Sequence, residues 1–166
     1  MHSSVVQAEQ AFLEVYDTHA DAIFRHCYFR VYDREAAREL AQEAFTRAWA
    51  YLAEGKEVKN IRALVYKIAN NLIIDGARKK REASLEALQE AGFAPATNRH
   101  EPDTRVDALL VLEKFTLIEA EYREAVYMRY VDGLTPREIA KITGLSVNVI
   151  SVRIHRGVKK LRTLIH

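Results

Sequence analysis

The chain has 166 residues, enough for one domain or two small ones, and 49% of them are hydrophobic, a share that lets a globular protein bury a core. Only three prolines and six glycines occur, which excludes the turn-rich composition of an all-β architecture, and one cysteine, Cys27, excludes a disulfide framework within the chain. The net charge of +2 is unremarkable, but residues 147–166 hold five Lys or Arg and no carboxylate, so basic charge gathers at one end. No early apolar run is long enough for a signal peptide or a membrane span. With a lone thiol that reads as a buried core residue, the expected location is the reducing cytoplasm.

Helical periodicity starts at about Gln7, with Phe12, Val15 and Tyr16, then His19, Ile23 and Phe24, at three- and four-residue steps. A second helix is expected over 34–53, carrying Leu40, Ala44, Phe45, Ala48, Trp49 and Leu52 on its apolar stripe. Gly55 and the polar stretch through Asn60 end it. A third pattern over 61–81 sets Ile61, Leu64, Val65, Ile68, Leu72 and Ile73 on one side and closes on the basic run Arg78-Lys79-Lys80-Arg81. Residues 82–107 contain six acidic and two basic residues, two of the three prolines and Gly92. They read as a flexible linker with one short helical turn around Leu85–Gln89. Periodicity resumes near Ala108 and runs through Val131. The predicted fold class is all-α: two small helical domains, 7–82 and 108–166, joined by a flexible acidic linker at 83–107.

The C-terminal domain is expected to be a helix-turn-helix. Thr135 is a good N-cap, Pro136 suits the first helical position, and Glu138 completes a capping box. Ile139 and Ile142 give the short helix an apolar face, and Gly144 supplies the positive φ of a tight turn. Ser146 then caps a second helix with Val147, Ile150, Ile154, Val158 and Leu161 on one side. The opposite side offers Asn148, Ser151, His155, Arg156 and Lys159, groups able to meet base edges and phosphates. Capped helix pairs also serve as packing motifs. Here cap, turn glycine, apolar registry and basic face all agree on a DNA reader. His155 alone would pass for an ordinary exposed histidine, and its neighbours Arg156 and Lys159 make it a candidate groove contact.

Nothing in the sequence points to catalysis. The six histidines form no metal-ligand spacing, one cysteine excludes a zinc ribbon, and neither a phosphate-binding glycine loop nor a nucleophile elbow occurs. The carboxylates read as solvated charge on helix surfaces. No catalytic residue, metal or cofactor is expected. The run Arg78–Arg81 has two readings: cations stabilised by a helix C-terminus, or a phosphate-holding cluster. The preceding Tyr66, Lys67, Asn70, Asn71 and Asp75 favour the second, because aromatic and amide groups beside cations suit a single strand held by its backbone.

The order of these parts resembles a known family. Leu40-Ala-Gln-Glu-Ala-Phe-Thr-Arg-Ala-Trp49 resembles the helix with which bacterial sigma factors grip RNA polymerase. Arg62 to Asp75 is similar to their promoter-opening segment, followed as usual by arginines and lysines. Tyr122 to Ala140 resembles the entry to the second sigma domain. With only these two domains, the chain is identified as a member of the extracytoplasmic-function (ECF) group of the sigma-70 family. The resemblance implies a transcription initiation factor, not an enzyme, that binds core RNA polymerase (β′ clamp helices and β flap) and promoter DNA. It also implies a monomer when free, with no membrane insertion, of a kind commonly held by an anti-sigma factor.

By position, the resemblance assigns Glu39, Leu40, Gln42, Glu43 and Phe45 to polymerase binding. It assigns Asn71 and Asp75 to the pocket that captures a flipped −10 base, with Tyr66 in the same segment and Lys67, Arg78, Lys79 and Arg81 on surrounding phosphates. Ser151, His155 and Arg156 fall to the −35 element, with Asn148 added from the polar side of the same helix, while Arg153 and Lys159 touch backbone or support the fold. The acidic linker would run toward the RNA exit path. The chain departs from the pattern at Ile61 and Leu64, where Phe and Trp are usual. It departs again at Arg34, Ala36 and Arg38, which dilute an acidic cluster, and at Ser151, where many relatives place arginine. The alternatives are a stand-alone helix-turn-helix regulator, which predicts palindromic sites and a dimer, and a helical adaptor with a degenerate second domain. The absence of alternating strand and helix patterns in the first half speaks against a receiver-type regulator. The intact cap and turn from Thr135 to Ser146 speak against degeneration.

Overall fold

The computed structural model describes residues 2–91 and 113–165. In chain order these form α1 (His2–Val31), α2 (Arg34–Ala53), α3 (Ile61–Ala91), a helical turn at 113–116, α4 (Ala120–Val126), a π-helical turn (Tyr127–Val131), α5 (Pro136–Thr143) and α6 (Val147–Ile165). Every described element is helical, and the chain divides into two compact units, Met1–His100 and Glu101–His166.

In the first unit α1, α2 and α3 pack on one another. The buried stripe of α2 is Ala37, Ala41, Ala44, Phe45, Ala48 and Leu52, and its run of alanines lets the neighbouring helices approach closely. Ile23 and Cys27 meet it from α1, and Val65, Tyr66, Ala69 and Ile73 from α3, all buried. Aromatic rings close the edge: Phe12 lies 6.1 Å edge-on from Phe45 and 5.3 Å from Trp49, and Tyr16 stands 4.9 Å from Phe45. Between α1 and α2 there are only two residues. Tyr32 takes the left-handed conformation, φ 53°, which costs a non-glycine residue roughly 1–2 kcal/mol, while its N–H donates to the Tyr28 carbonyl (2.8 Å). Asp33 then caps α2 by accepting the Ala36 N–H at 3.0 Å, and Asn60 caps α3 through the Ala63 N–H at 2.9 Å. On α1, burial and then the Arg62 guanidinium hold the His19 imidazole below its ordinary pKa.

Helix α3 does not stop at Arg81. It continues to Ala91, through a stretch the sequence reading gave to the linker. Glu82 to Ala91 is acidic, but apart from Ser84 it is built from Glu, Ala, Leu and Gln with neither Gly nor Pro before Gly92, so propensity extends the helix where composition suggested a linker. Residues 92–107 of the expected linker lie outside the described residues, as do 108–112.

The periodicity expected to run unbroken to Val131 is interrupted at 117–119. Extended backbone at Glu119 (ψ 141°) accompanies the burial of Ile118 in the core of the second unit, against Val126 and Leu161, with Phe115, Val158 and Leu164 around them. Phe115 stacks on Tyr127 at 4.6 Å. Lys160 pairs with Glu119, an exposed pair in which the ammonium holds the carboxylate below its ordinary pKa. The π-helical turn follows, marked by an Asp132 N–H bond to the Tyr127 carbonyl at 3.0 Å. The capping box is formed: Glu138 N–H donates to Thr135 Oγ1 (3.2 Å), and Thr135 N–H donates to Glu138 Oε2 (2.8 Å). Gly144 takes φ 75° and turns the chain into α6, whose first turn is capped by Ser146 Oγ accepting the Val149 N–H at 3.2 Å. Replacing Thr135 by Ala is expected to destabilise this unit by about 1 kcal/mol, with Thr135→Ser restoring it, as read from thermal unfolding.

Candidate protein and nucleic-acid interfaces

Three exposed faces carry the residues singled out in the sequence. On α2, Glu39, Gln42 and Glu43 are exposed and Leu40 is half-buried beside them, giving an acidic and amide surface with an apolar element. The Glu43 carboxylate accepts from Arg47 Nε at 2.6 Å. Phe45 does not belong to that surface. It is 5% exposed, wedged against Phe12 and Tyr16, because position 45 falls on the inward stripe with Ala41, Ala44 and Ala48. It supports the face from within. Grooves border α2 on both sides, one of about 580 Å³ toward α3 and one of about 370 Å³ lined by Phe12, Tyr16, Phe45 and Trp49.

On α3, Lys67, Asn71, Asp75, Arg78, Lys79 and Arg81 are all exposed. The first four occupy successive turns of one side, a stripe about 16 Å long at 1.5 Å per residue. Arg78 reaches Asp75 at 4.0 Å, an exposed pair worth under about 1 kcal/mol. Tyr66 faces the other way. It is fully buried, with His26 edge-on at 5.1 Å and the Arg62 guanidinium 5.7 Å from its ring, so it cannot stack on a base. Its spacing from Ala69 and Ile73 marks the inward face. Ile74, absent from the sequence-based candidates, is 53% exposed between Asn71 and Asp75 and offers an apolar surface within the polar stripe.

On α6, Asn148, Ser151, His155, Arg156 and Lys159 are exposed together. Arg153 turns aside to pair with Glu121 at 3.2 Å and ties α6 to α4, which accords with a supporting role and not with base contact. Val147, expected inward, is 43% exposed, and Val152, 40% exposed, adds an apolar group to that exposed face. A groove of about 700 Å³ beside α6 brings Arg129, Tyr130 and Arg162 next to Ser151, His155 and Lys159. The first two were missed because the π-helical turn that presents them leaves no mark in the apolar periodicity. Among the described residues no cluster of His, Cys, Asp and Glu could hold a metal ion, and no described helix is long and apolar enough to cross a membrane.

A three-helix unit with carboxylates and amides exposed on α2 and a cation-and-amide stripe on α3, followed by a helix-turn-helix unit with a basic exposed face, is the layout of a two-domain DNA-binding protein. The family model for sigma-70 region 2 matches residues 15–83, and that for sigma-70 region 4 matches residues 115–161. The chain belongs to the sigma-70 family, in its extracytoplasmic-function group. It acts as an initiation factor that binds core RNA polymerase and directs it to promoters through their −35 and −10 elements, helping to open the DNA. It is 29% identical over 165 residues to the ECF sigma factor SigW of Bacillus subtilis, covering 93% of this chain and 88% of the relative. It is 27% identical over 163 residues to the ECF sigma factor SigL of Mycobacterium tuberculosis, covering 96% and 92%. The fold is shared with sigma factor RpoE in a co-crystal structure with the anti-sigma factor NepR from Bartonella quintana, with a TM-score of 0.76, 19% identity, and 94% and 97% of the two chains covered. It is also shared with CnrH in complex with the cytosolic domain of CnrY, with a TM-score of 0.69, 22% identity, and 97% and 94% covered.

Proposed function

We propose that residues 7–82, extended by α3 to Ala91, dock on core polymerase and open the −10 element, while 108–166 read the −35 element. Glu39, Leu40, Gln42 and Glu43 form the docking face toward the β′ clamp helices. Asn71 and Asp75 border the pocket for an unstacked base, with Lys67, Arg78, Lys79 and Arg81 on phosphates. Asn148, Ser151, His155 and Arg156 read the major groove, Lys159 touches backbone, and this unit also meets the β flap. Tyr66 and Phe45 brace the faces from inside, and Arg153 braces α6.

The observation that carries this reading is the pair of exposed clusters on the first unit: Glu39, Gln42 and Glu43 on α2, with Arg38 and Arg47 beside them, and Lys67, Asn71, Arg78, Lys79 and Arg81 around Asp75 on α3. One suits a basic protein partner and the other a polyanion. The protein performs no chemistry of its own. It works as a monomer in the cytoplasm, without metal or cofactor, and melting is driven by trapping a base. The solved relatives RpoE and CnrH, each in complex with a second protein, support control of this chain by an anti-sigma factor as well.

Mixing the protein with core bacterial RNA polymerase tests the assignment. Wild-type protein is expected to co-elute one-to-one on size exclusion, and Glu43→Lys to lose the complex while keeping its helical circular dichroism. Tight binding of the free protein to a palindromic duplex, with no polymerase complex, would overturn it. Phe45→Ala is unsuited to the purpose, since deleting a core ring costs about 3–5 kcal/mol of stability.

A further inference from the structure

One apolar side chain of the first unit stands where the core does not use it. Of the large apolar residues among the described side chains of α3, only Ile74 and Leu85 are exposed, at 53% and 56%. Ile61, Leu64, Val65, Ile68, Leu72 and Ile73 are all half-buried or buried. A solvated helix position gains nothing from a β-branched residue, which loses side-chain freedom against the preceding turn. Single exposed apolar residues are common on protein surfaces, so the surroundings of each decide what it can do.

Leu85 lies beyond the basic run with the exposed Glu82 and Glu86 near it, surroundings that repel a polyanion. Ile74 is placed differently. At about 100° of turn per residue, Lys67, Asn71, Ile74, Arg78 and Arg81 fall within about 80° of one another around α3. Asn71 and Arg78 stand one turn to either side of Ile74, Lys67 and Arg81 two turns to either side, and all four are exposed. The adjacent carboxylate, Asp75, lies about 100° further round the helix and pairs with Arg78 at 4.0 Å. Cations so arranged fix a strand by its phosphates on both sides of an apolar group. Lys67 and Arg81 are about 21 Å apart along the helix axis, a length that several nucleotides span at about 3.4 Å per stacked nucleotide.

We propose that Ile74 is the apolar platform on which one unstacked base of the opened −10 strand packs, beside the base captured near Asn71 and Asp75. The proposal rests on the assignment of α3 to the −10 strand and adds to it a residue with neither charge nor hydrogen-bonding group. An unstacked base loses the apolar contact of its neighbours, and a branched aliphatic side chain restores part of that contact on one face. Phosphate contacts position a strand, but they do not cover the face of a base that has left the stack. Ile74 therefore favours the opened strand over the duplex, in which neighbouring bases already cover one another.

The test is equilibrium binding of the complex with core polymerase to forked −10 DNA, with an abasic site moved through the single strand one position at a time. Ile74→Ala is expected to weaken binding about fivefold and to leave the slope of log affinity against log salt unchanged, since no phosphate contact is lost. At one position the abasic site is expected to weaken the wild-type complex by a similar factor and to leave Ile74→Ala unaffected, because the two changes remove one shared contact. Ile74→Phe keeps an apolar face and is expected to bind at least as tightly as wild type. Ile74→Ala removes a solvated side chain and raises helix propensity, so the fold is kept, as circular dichroism would check. Wild-type affinity for Ile74→Ala, or a loss that no abasic position absorbs, would overturn the proposal. Weakened binding to core polymerase without DNA would overturn it too, by giving Ile74 a protein contact. Loss of DNA binding in Lys67→Ala and Asn71→Ala beside wild-type affinity for Ile74→Ala would overturn the platform alone. Wild-type affinity for all three variants would overturn the α3 assignment with it.

Discussion

Gly157→Val is expected to unfold the C-terminal unit and with it to abolish −35-dependent transcription. Helix α6 crosses α4 at this glycine. A Cβ there would lie 2.5 Å from Val126 Cγ2, 3.1 Å from the Tyr122 carbonyl oxygen and 3.4 Å from Tyr122 Cβ. The valine side chain could turn at some expense, but the Tyr122 carbonyl is backbone of the opposing helix and cannot give way alone. Overpacking of this kind typically costs about 1–3 kcal/mol for small insertions, and valine adds two branches beyond the first clashing atom. A unit this small holds only a few kcal/mol in reserve. Gly157→Ala, which gains helix propensity while meeting the same first contact, is expected to lie between wild type and Gly157→Val. Thermal unfolding and amide exchange in α4 and α6 read the effect directly. A Gly157→Val protein that melts like wild type would show that the two helices separate without loss, and the close crossing would then not hold this unit together.

The same crossing shows what could and could not be read in the sequence. Local chemistry was legible. The apolar stripe from Leu40 to Leu52 and the break at Gly55 set α2 at Arg34–Ala53, and Thr135, Pro136, Glu138 and Gly144 set the turn of the second unit. These features depend on residues within one or two turns of each other. Legibility failed where the deciding partner is distant. Gly157 carries no periodic signal and is explained only by Tyr122 and Val126. For Arg153 the sequence leaves a backbone contact and a supporting role both open, and only Glu121, far back in the chain, shows which group takes its guanidinium. Phe45 and Tyr66 were drawn onto functional faces by the motifs around them, although their spacing from Ala41 and Ala48, and from Ala69 and Ile73, marked them as inward. Composition misled once, at Glu82–Ala91, where acidity was read as a linker and helix propensity prevailed.

Replacing Arg78, Lys79 and Arg81 together by alanine is expected to weaken binding of the polymerase complex to forked −10 DNA, and to flatten its salt dependence. A cationic run at a helix terminus could serve the macrodipole alone, but that effect is confined to the last turn. Here α3 continues ten residues past Arg81, to Ala91, so a dipole role is removed. The near partner Asp75 stands 4.0 Å from Arg78 with both side chains exposed, too weak a pair to account for the cluster. Phosphate binding, the role proposed above for these three solvated cations, is what the substitution tests. For single strands, each phosphate neutralised contributes about 0.7 to the slope of log affinity against log salt. Loss of three contacts should therefore reduce that slope by about 2, and at physiological salt reduce affinity roughly tenfold to a hundredfold, with no change in the −35 contribution. Alanine is a better helix former than the residues it replaces, so lost binding would not reflect a lost helix. An unchanged slope would remove these residues from the DNA path and leave opening to Lys67, Asn71 and Asp75.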